Sequence, residues 1–122
     1  MKIFLASHGK FASGLKSSID ILLGSSDKVS VYDAFVDETR LEDVLDSYFA
    51  QLSEDEQLVL CSDLYGGSVN QKMALYLHRP NTFLVAGVNL AFLLELAIQS
   101  TDLTTMKLEE LVRGSRDVLK LV

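Results

Sequence analysis

Four short apolar segments alternate with four stretches of helical periodicity over roughly the first hundred residues. Each apolar segment has the length of a strand, and the apolar residues after it recur at the spacing of an amphipathic helix. This alternation, without internal repeats or low-complexity linkers, predicts an α/β fold: a four-stranded parallel sheet in the order 2-1-3-4 with helices on both faces. The predicted strands are Ile3 to Ala6, Lys28 to Ala34, Leu58 to Cys61 and Thr82 to Val88. The predicted helices are Phe11 to Leu23, a second one that is capped by Asp37 or alternatively by Thr39 and extends to Leu52, Ser68 to Arg79 and Asn89 to Ile98.

Length and composition are those of one globular domain. The chain has 122 residues, of which 48% are hydrophobic and 23% are charged, an ordinary balance for a folded domain of this size. We expect a single domain over residues 1–122, with an α/β core over 1–100 and a linker and terminal strand over 101–122. The net charge of −6 argues against a nucleic-acid partner, because binding along a phosphate backbone relies on clustered Lys and Arg.

The apolar segments are too short or too interrupted to form a signal peptide or a membrane span. The N-terminal run ends at Ala6, and the longest later run, Phe83 to Ile98, contains Asn89 and Glu95. Cys61 is the single cysteine and lies in an apolar run, so it is interpreted as a small buried residue without a disulfide or metal. A cytoplasmic protein is therefore expected.

A polar turn, Ser7 to Lys10, follows the first strand and contains His8. Ligands of parallel α/β sheets bind at the carboxyl ends of the strands, so His8 lies where such folds perform their chemistry. Loops carry function more often than cores do, but most loop residues carry none. From this segment alone, His8 is equally well interpreted as an ordinary loop histidine.

The turn after the third strand, Cys61 to Asn70 (CSDLYGGSVN), places Asp63 at an equivalent strand end. In the order 2-1-3-4, strands one and three are neighbours whose loops diverge at the switch point, so Asp63 is expected to face His8. A carboxylate bonded to one imidazole nitrogen fixes the tautomer and leaves the other nitrogen as a nucleophile. It also stabilises positive charge on the ring during attack.

Three small residues follow in the same turn. Gly66 and Gly67 allow backbone N–H groups to approach an oxyanion, and Ser68 offers a hydroxyl at the start of a helix. Gly-Gly-Ser is also common turn sequence, and Asp63 by itself is more often a cap or a solvated loop acid. In combination with His8, these residues predict a phosphohistidine site with His8 and Asp63 as catalytic residues and the other three as phosphate-binding residues.

Residues next to the predicted site are candidates for docking a partner protein. Gly9, Lys10 and Phe11 come directly after His8, and Tyr65 lies in the loop after the third strand. Aromatic residues are enriched at interfaces, but Tyr65 can equally cover the end of the sheet with its ring. Lys10 helps to bind a phosphate in one interpretation and is a solvated charge in the other.

Three segments carry a resemblance to a known family: SHG after the first strand, DLYGGS after the third, and AGVNLAFLLE, Ala86 to Glu95, after the fourth. They and their spacing resemble the mannose-family IIA domain of the bacterial phosphoenolpyruvate-dependent sugar phosphotransferase system (PTS), over roughly the first hundred residues. The resemblance implies that His8 is the phosphoacceptor, that Asp63 orients it and that Ser68 contacts the phosphoryl group.

The resemblance also implies a function, that of a phosphotransferase acting as a carrier. In that family the domain accepts a phosphoryl group from the phosphocarrier protein HPr and passes it to a IIB domain, which phosphorylates the incoming sugar; membrane IIC and IID components take part indirectly. The residues seen require no metal or cofactor. Val69 and Ala91 stand where the family often has Pro, so the loop edges that shape partner docking are expected to differ.

Other classes of phosphoryl-transfer protein fit less well. Histidine phosphatases and mutases use arginines and a second histidine around the phosphate, whereas Lys10 is the nearby cation and His78 lies at the far end of the third predicted helix. A receiver domain with Asp63 as acceptor needs a carboxylate pair after the first strand, and SHG supplies none. A regulatory phosphohistidine domain of a kinase subunit or transcriptional regulator stays open as an alternative.

The apolar segment Val118 to Val122 predicts a fifth strand, preceded by a polar stretch, Thr101 to Met106, and a short helix, Leu108 to Val112. Without a helix after it, the strand would join the sheet as an antiparallel edge, in this subunit or in a neighbour. The family forms dimers that exchange a terminal strand. The resemblance therefore implies a homodimer in which Asp117 to Val122 is exchanged.

Overall fold

The structure, a computed structural model, describes residues 1–122. Four pairs of a strand and a helix follow one another, as the sequence predicts, and a fifth helix comes after the last pair. The elements in chain order are β1 (Lys2–His8), α1 (Phe11–Leu23), β2 (Val29–Ala34), α2 (Leu41–Gln51), β3 (Leu58–Ser62), α3 (Ser68–Ala74), β4 (Thr82–Ala86), α4 (Leu90–Ala97) and α5 (Thr105–Arg116).

The four strands form one parallel sheet in the order β2-β1-β3-β4, which confirms the predicted order and fold class. In the register of the sheet, His8 of β1 lies beside Ala34 of β2, and Ala6 lies beside Ser62 of β3. The helices that follow β1 and β3 pack on opposite faces of the sheet. The loops after these two strands therefore diverge, which creates the switch point where open α/β sheets bind ligands.

Alternating residues of the strands fill two separate hydrophobic cores. Ile3 and Leu5 of β1 pack on the face covered by α1, α4 and α5, whereas Phe4 and Ala6 pack on the face covered by α2 and α3. All four side chains are buried. Because the sheet is covered on both faces, its central strands β1 and β3 contain continuous apolar runs, whereas the edge strand β2 also contains Ser30 and Asp33.

Helix α3 is shorter than predicted. It ends at Ala74 rather than near Arg79. The residues up to Arg79 continue as tight turns with hydrogen bonds to the carbonyl three residues back, such as Tyr76 N–H to the Met73 carbonyl at 3.0 Å. This tighter winding is common at the ends of α-helices. Pro80, which follows, disfavours helical geometry in the residue before it.

The C-terminal part of the chain differs most from the prediction. Helix α5 is longer than predicted and begins within the stretch that was expected to be a polar linker. Thr104 caps it, since its side-chain oxygen accepts a hydrogen bond from the Lys107 N–H at 3.1 Å. Leu108 and Leu111 are buried in the same core as α4. Burial of these leucines is a sufficient reason for a helix to form here.

The predicted fifth strand is absent from this chain, and the sheet ends at β4. The helix continues through Gly114 to Arg116, so no turn brings the chain back to the edge of the sheet. The apolar side chains of the terminal segment, defined as residues 117–122, are exposed instead. The prediction of an edge strand formed within one subunit was therefore wrong. Exchange of the terminal segment between subunits concerns a second chain and stays a prediction.

A buried glutamine connects the start of β3 to the segment between α4 and α5. Gln57 is 1% exposed. Its Nε2 donates to the Leu103 carbonyl at 2.8 Å and to Oδ1 of Asn81 at 3.0 Å, and its Oε1 accepts from the Leu103 N–H at 2.7 Å. Leu103 is also buried, so both of its backbone polar groups depend on this one side chain.

We expect Gln57→Ala to lower the free energy of unfolding by about 2–4 kcal/mol, because it leaves the buried N–H and C=O of Leu103 without partners, at about 1–3 kcal/mol each. Gln51→Ala, at an exposed position at the end of α2, is the matched control and should change stability by less than about 0.5 kcal/mol. Urea unfolding followed by circular dichroism measures both. Equal stability of the two variants would contradict this role for Gln57.

Candidate functional site

His8 is the last residue of β1, and contacts of its neighbours fix the turn that follows. Gly9 has a left-handed φ of +59°, and its N–H donates to the Ala34 carbonyl of β2 at 2.8 Å. The Ser7 hydroxyl accepts from the Ala12 N–H at 2.7 Å and donates to the Gly9 carbonyl at 3.1 Å. The turn is thus tied both to β2 and to the start of α1. It holds the His8 side chain, which is 41% exposed, at the carboxyl-terminal end of the sheet.

Asp63 comes directly after β3, and both of its carboxylate oxygens are hydrogen-bonded. Oδ2 accepts from the backbone N–H of His8 at 2.8 Å and lies 2.8 Å from ring Nδ1 of the same residue. Oδ1 accepts from the Leu64 N–H at 3.0 Å. The side chain of Asp63 is only 13% exposed. The structure therefore brings the two side chains together across β1 and β3.

The contacts of the imidazole determine which ring nitrogen is free. A carboxylate oxygen only accepts hydrogen bonds, so Nδ1 of His8 must carry a proton and donate it to Asp63. In the neutral ring, Nε2 then has a free lone pair, and the Ser68 hydroxyl oxygen lies 3.2 Å from it as the donor. Asp63 therefore orients the ring through Nδ1, and the lone pair of Nε2 is in the state that a histidine nucleophile requires.

Opposing effects act on the pKa of Asp63. Burial raises the pKa, whereas hydrogen bonds from the backbone N–H and ring of His8, and the charge of that ring when protonated, lower it. The net result is a pKa below the ordinary value for Asp. The carboxylate is therefore charged at neutral pH, the state in which it can hold the Nδ1–H group.

The two glycines shape the loop that approaches the ring. Gly67 N–H donates to the Leu64 carbonyl at 3.2 Å, and Gly66 has a φ of +74°, as the third residue of a type II turn requires. A Cβ at residue 67 would lie 3.2 Å from Leu64 Cβ and 3.6 Å from Cε1 of His8. Glycine at residue 67 therefore avoids a tight contact with Leu64 within the turn, whereas the imidazole would be at ordinary van der Waals distance.

The N–H groups of these glycines already have acceptors within the protein. Gly66 N–H donates to Oδ1 of Asn70 at 3.0 Å, and Gly67 N–H takes part in the turn described above. The contribution that the structure shows for both residues is conformational. Their predicted role as direct donors to a phosphate stays a prediction.

The side chains predicted to dock a partner protein are exposed. Lys10, Phe11 and Tyr65 are exposed, and Tyr65, 91% exposed, does not cover the end of the sheet with its ring. Phe35 is a neighbour that sequence reasoning missed: its ring centroid lies 5.3 Å from that of the imidazole, with the planes tilted by 32°. Phe35 has a φ of +67°, which is rare for a bulky residue. Phe35 directly follows β2 and so lies at the same carboxyl-terminal end of the sheet as His8. This position in the sequence was the signal from which its proximity to His8 could have been predicted.

Other chemically reactive side chains do not join this site. His78 is exposed, and its Nδ1 donates to the Leu75 carbonyl at 2.8 Å at the end of the third helical segment. Cys61 is fully buried, and burial raises the pKa of its thiol. No group of three or more His, Cys, Asp or Glu side chains is placed to hold a metal ion. None of the five helices is long and apolar enough to cross a membrane.

The fold and the site thus define an α/β protein with a partly exposed histidine, bonded to an aspartate, at the switch point of a parallel sheet. The family model of the PTS system fructose IIA component, EIIA-man, matches residues 2–114. The chain belongs to this family of PTS IIA components, which confirms the resemblance seen in the sequence.

Solved structures of similar proteins agree with this assignment. A protein proposed to be a PTS permease from Klebsiella pneumoniae is 28% identical, with a TM-score of 0.90 over 98% of this chain and 89% of that one. The PTS IIA protein associated with the fucose utilization operon of Streptococcus pneumoniae is 26% identical, with a TM-score of 0.76 over 98% and 91%. The mannose/sorbose-specific IIA subunit of Enterococcus faecalis, 22% identical, shares the fold with a TM-score of 0.80 over 99% and 93%.

The hydrogen bonds to Asp63 predict how its carboxyl group titrates. In the wild-type protein we expect a pKa below the ordinary value of about 3.9. In His8→Ala the ring contact is lost while the N–H of residue 8 still donates, so the pKa should rise part of the way towards that value. Carboxyl ¹³C NMR titration measures both.

The same shift has a consequence for stability. Because the pKa in the folded state is lowered, the stabilisation by Asp63 is fully present above its unfolded-state pKa of about 3.9 and is lost as the pH falls through the folded-state value.

The matched control for the NMR titration is His78→Ala, which should leave the Asp63 titration unchanged. Identical Asp63 titrations in the wild type and His8→Ala would show that the ring does not bond the carboxylate in solution.

Proposed function

We propose that residues 1–122 form a single phosphoryl-carrier domain of a cytoplasmic sugar PTS, in which His8 accepts a phosphoryl group from HPr and passes it to a IIB domain. Membership of the PTS IIA family supports a phosphotransfer role in sugar uptake. The observation that carries the residue assignment is the imidazole itself, with Nδ1 bonded to Asp63 and Nε2 beside the Ser68 hydroxyl.

The proposed transfer step follows from this geometry. The Nε2 lone pair of His8 attacks the phosphorus of the donor, so that a P–N bond forms while the bond between phosphorus and the donor breaks with its electron pair on the donor. The imidazole ring becomes positively charged, and the Asp63 carboxylate stabilises that charge through Nδ1–H. Transfer to the IIB domain breaks the P–N bond, and the neutral ring keeps its proton on Nδ1.

Ser68 is proposed to contact the phosphoryl group. Its hydroxyl lies beside Nε2 in the free protein, and once phosphorus is bonded to that nitrogen the hydroxyl can rotate to donate to a phosphoryl oxygen. Gly66 and Gly67 are proposed to assist by keeping the loop close, and their N–H groups would reach a phosphoryl oxygen only by exchanging their internal acceptors. These groups act without a metal or cofactor in the proposed step.

An exposed surface around His8, which we call the docking rim, is proposed to bind both partner proteins in turn. It consists of Gly9, Lys10, Phe11, Phe35 and Tyr65, and its aromatic members are exposed. Exposed aromatic residues with a polar margin are typical of transient protein interfaces. Both partners need this surface, because each must bring a phosphorus or an acceptor atom to the same Nε2.

The transfer can be tested with phosphoenolpyruvate, the general PTS enzyme I and HPr. We expect one acid-labile phosphate on His8 in the wild type and none in His8→Ala. Asp63→Asn should slow labelling by about 100-fold or more, because the ring loses its fixed tautomer and the support for its charge. Mass spectrometry of the intact protein and its peptides follows both the extent and the position of labelling.

His78→Ala is the matched control for this experiment and should be labelled like the wild type, because His78 is exposed and bonded only to its own helical segment. Labelling that survives in His8→Ala, or that maps to Asp63 or His78, would overturn the assignment. Label that is accepted on His8 but never passes to a IIB domain would instead favour the regulatory alternative.

We also propose a homodimer in which the terminal segment of one subunit pairs with the sheet edge of another. The edge strand β4 is half-buried, and a cavity of about 260 Å³ next to it is lined by Leu84, Val85 and side chains of α5. An open edge strand is an aggregation hazard, and an exposed apolar segment is suited to cover it. Exchange of an identical element is a low-cost route to a two-fold dimer.

Deletion of residues 117–122, which leaves α5 intact, should convert the dimer to monomer or to aggregate in analytical ultracentrifugation. Leu119→Ser combined with Leu121→Ser keeps the chain length and should weaken the dimer in the same direction, because both side chains are fully exposed in the single chain. A truncated protein that stays dimeric would refute the exchange and leave the helix faces as the interface.

A further inference from the structure

A buried asparagine links the two ends of the loop that carries the site. Asn70 is the third residue of α3 and is 9% exposed. Its Oδ1 accepts from the Gly66 N–H at 3.0 Å, and its Nδ2 donates to the Ser62 hydroxyl at 2.9 Å. Ser62 directly precedes Asp63, and Gly66 belongs to the turn that leads into Ser68. The Asn70 side chain thus connects the end of β3, which is followed by Asp63 on the Nδ1 side of His8, to the turn that leads into Ser68 on the Nε2 side.

The two ends of this link differ in how firmly they are held. Ser62 is the last residue of β3 and is fully buried, and its carbonyl accepts from the N–H groups of Gly87 and Val88 at 3.0 and 3.2 Å. Gly66 lies in a turn with a left-handed φ, and its N–H and C=O are bonded to side chains of α3, Asn70 and Gln71. Asn70 therefore connects the firmly held end of β3 to a turn that contains two glycines, whose backbones have more conformational freedom than those of other residues.

We infer that Asn70 is a positioning residue for phosphoryl transfer, an inference that rests on the proposed function of His8. It holds the Gly66 turn against the end of β3 and so keeps the Ser68 hydroxyl on Nε2. Asp63 needs no such help, because His8 N–H and Leu64 N–H fix its carboxylate directly. Loss of Asn70 therefore affects the Nε2 side of the imidazole and spares the Nδ1 side.

The test is Asn70→Ala, with ¹⁵N NMR of the His8 ring and the rate of labelling from phosphorylated HPr. We expect the Nδ1–H signal to stay and the Nε2 signal to shift in the same direction as in Ser68→Ala. The labelling rate should fall by about tenfold to a hundredfold, the range expected for a small misplacement in an active site. In a Ser68→Ala background, Asn70→Ala should slow labelling by less than about twofold further, because the group it positions is already gone.

Gln71→Ala is the matched control, because the exposed Gln71 bonds the carbonyl of the same glycine. It should leave the Nε2 signal unchanged and the rate within about twofold of the wild type. If Asn70→Ala does not fold, Ser62→Ala removes the acceptor at the other end of the link and should shift the Nε2 signal in the same direction.

An unchanged Nε2 signal in either Asn70→Ala or Ser62→Ala would overturn the inference, as would equal fold-losses in rate with and without the Ser68 hydroxyl. If the wild type takes no label, the proposed function of His8 fails, while the NMR comparison still decides whether Asn70 positions Ser68.

Discussion

The hydrogen bond between Nδ1 of His8 and Oδ2 of Asp63 is the interaction on which the candidate site depends. The same carboxylate oxygen also accepts from the backbone N–H of His8, so the side chain of one strand end is bonded to the main chain of the neighbouring one. Because of this second bond, the orientation of the ring follows from the register of β1 and β3. A different strand order would separate the two residues, so the fold itself determines which ring nitrogen is bonded to the carboxylate and which has the free lone pair.

The parts of the site that the sequence predicts are those whose positions follow from strand ends alone. His8 and Asp63 end or follow neighbouring strands, and Ser68 begins the next helix, so their proximity is a consequence of topology. Phe35 and Asn70 were not predicted. The contact of Phe35 depends on a left-handed backbone conformation that phenylalanine rarely adopts, and that of Asn70 depends on the detailed path of a loop. Periodicity carries no information about either.

The fold was predicted correctly where strand-forming segments alternate with amphipathic helices. The prediction was wrong in the C-terminal part, where it ended the last helix at Val112. The four strands follow from short strand-forming segments between turns, of which those in β1 and β3 are buried. The predicted short helix ended at Val112, before Gly114, yet α5 passes through this glycine to Arg116. A glycine inside a helix costs only about 1 kcal/mol relative to alanine, whereas burial of Leu108 and Leu111 stabilises the helix by about 1.5–3 kcal/mol for each side chain. Packing of the leucines therefore outweighs the unfavourable helix propensity of Gly114, and the apolar side chains of the terminal segment remain exposed.

A phosphohistidine carrier has to expose its nucleophile to two partners and still limit attack by water. In the proposed role of His8, the first demand is met because the ring lies at the carboxyl-terminal end of the sheet and is partly exposed. Phe35 packs against the imidazole, although its own ring is largely exposed and its backbone is in a strained conformation. Such strain persists only where the surrounding structure enforces it, and it is concentrated at functional sites. In the proposed function, an aromatic ring here would cover one face of the imidazole and would also offer apolar surface to a docking partner, so the second demand would fall on the same residue that the partner contacts.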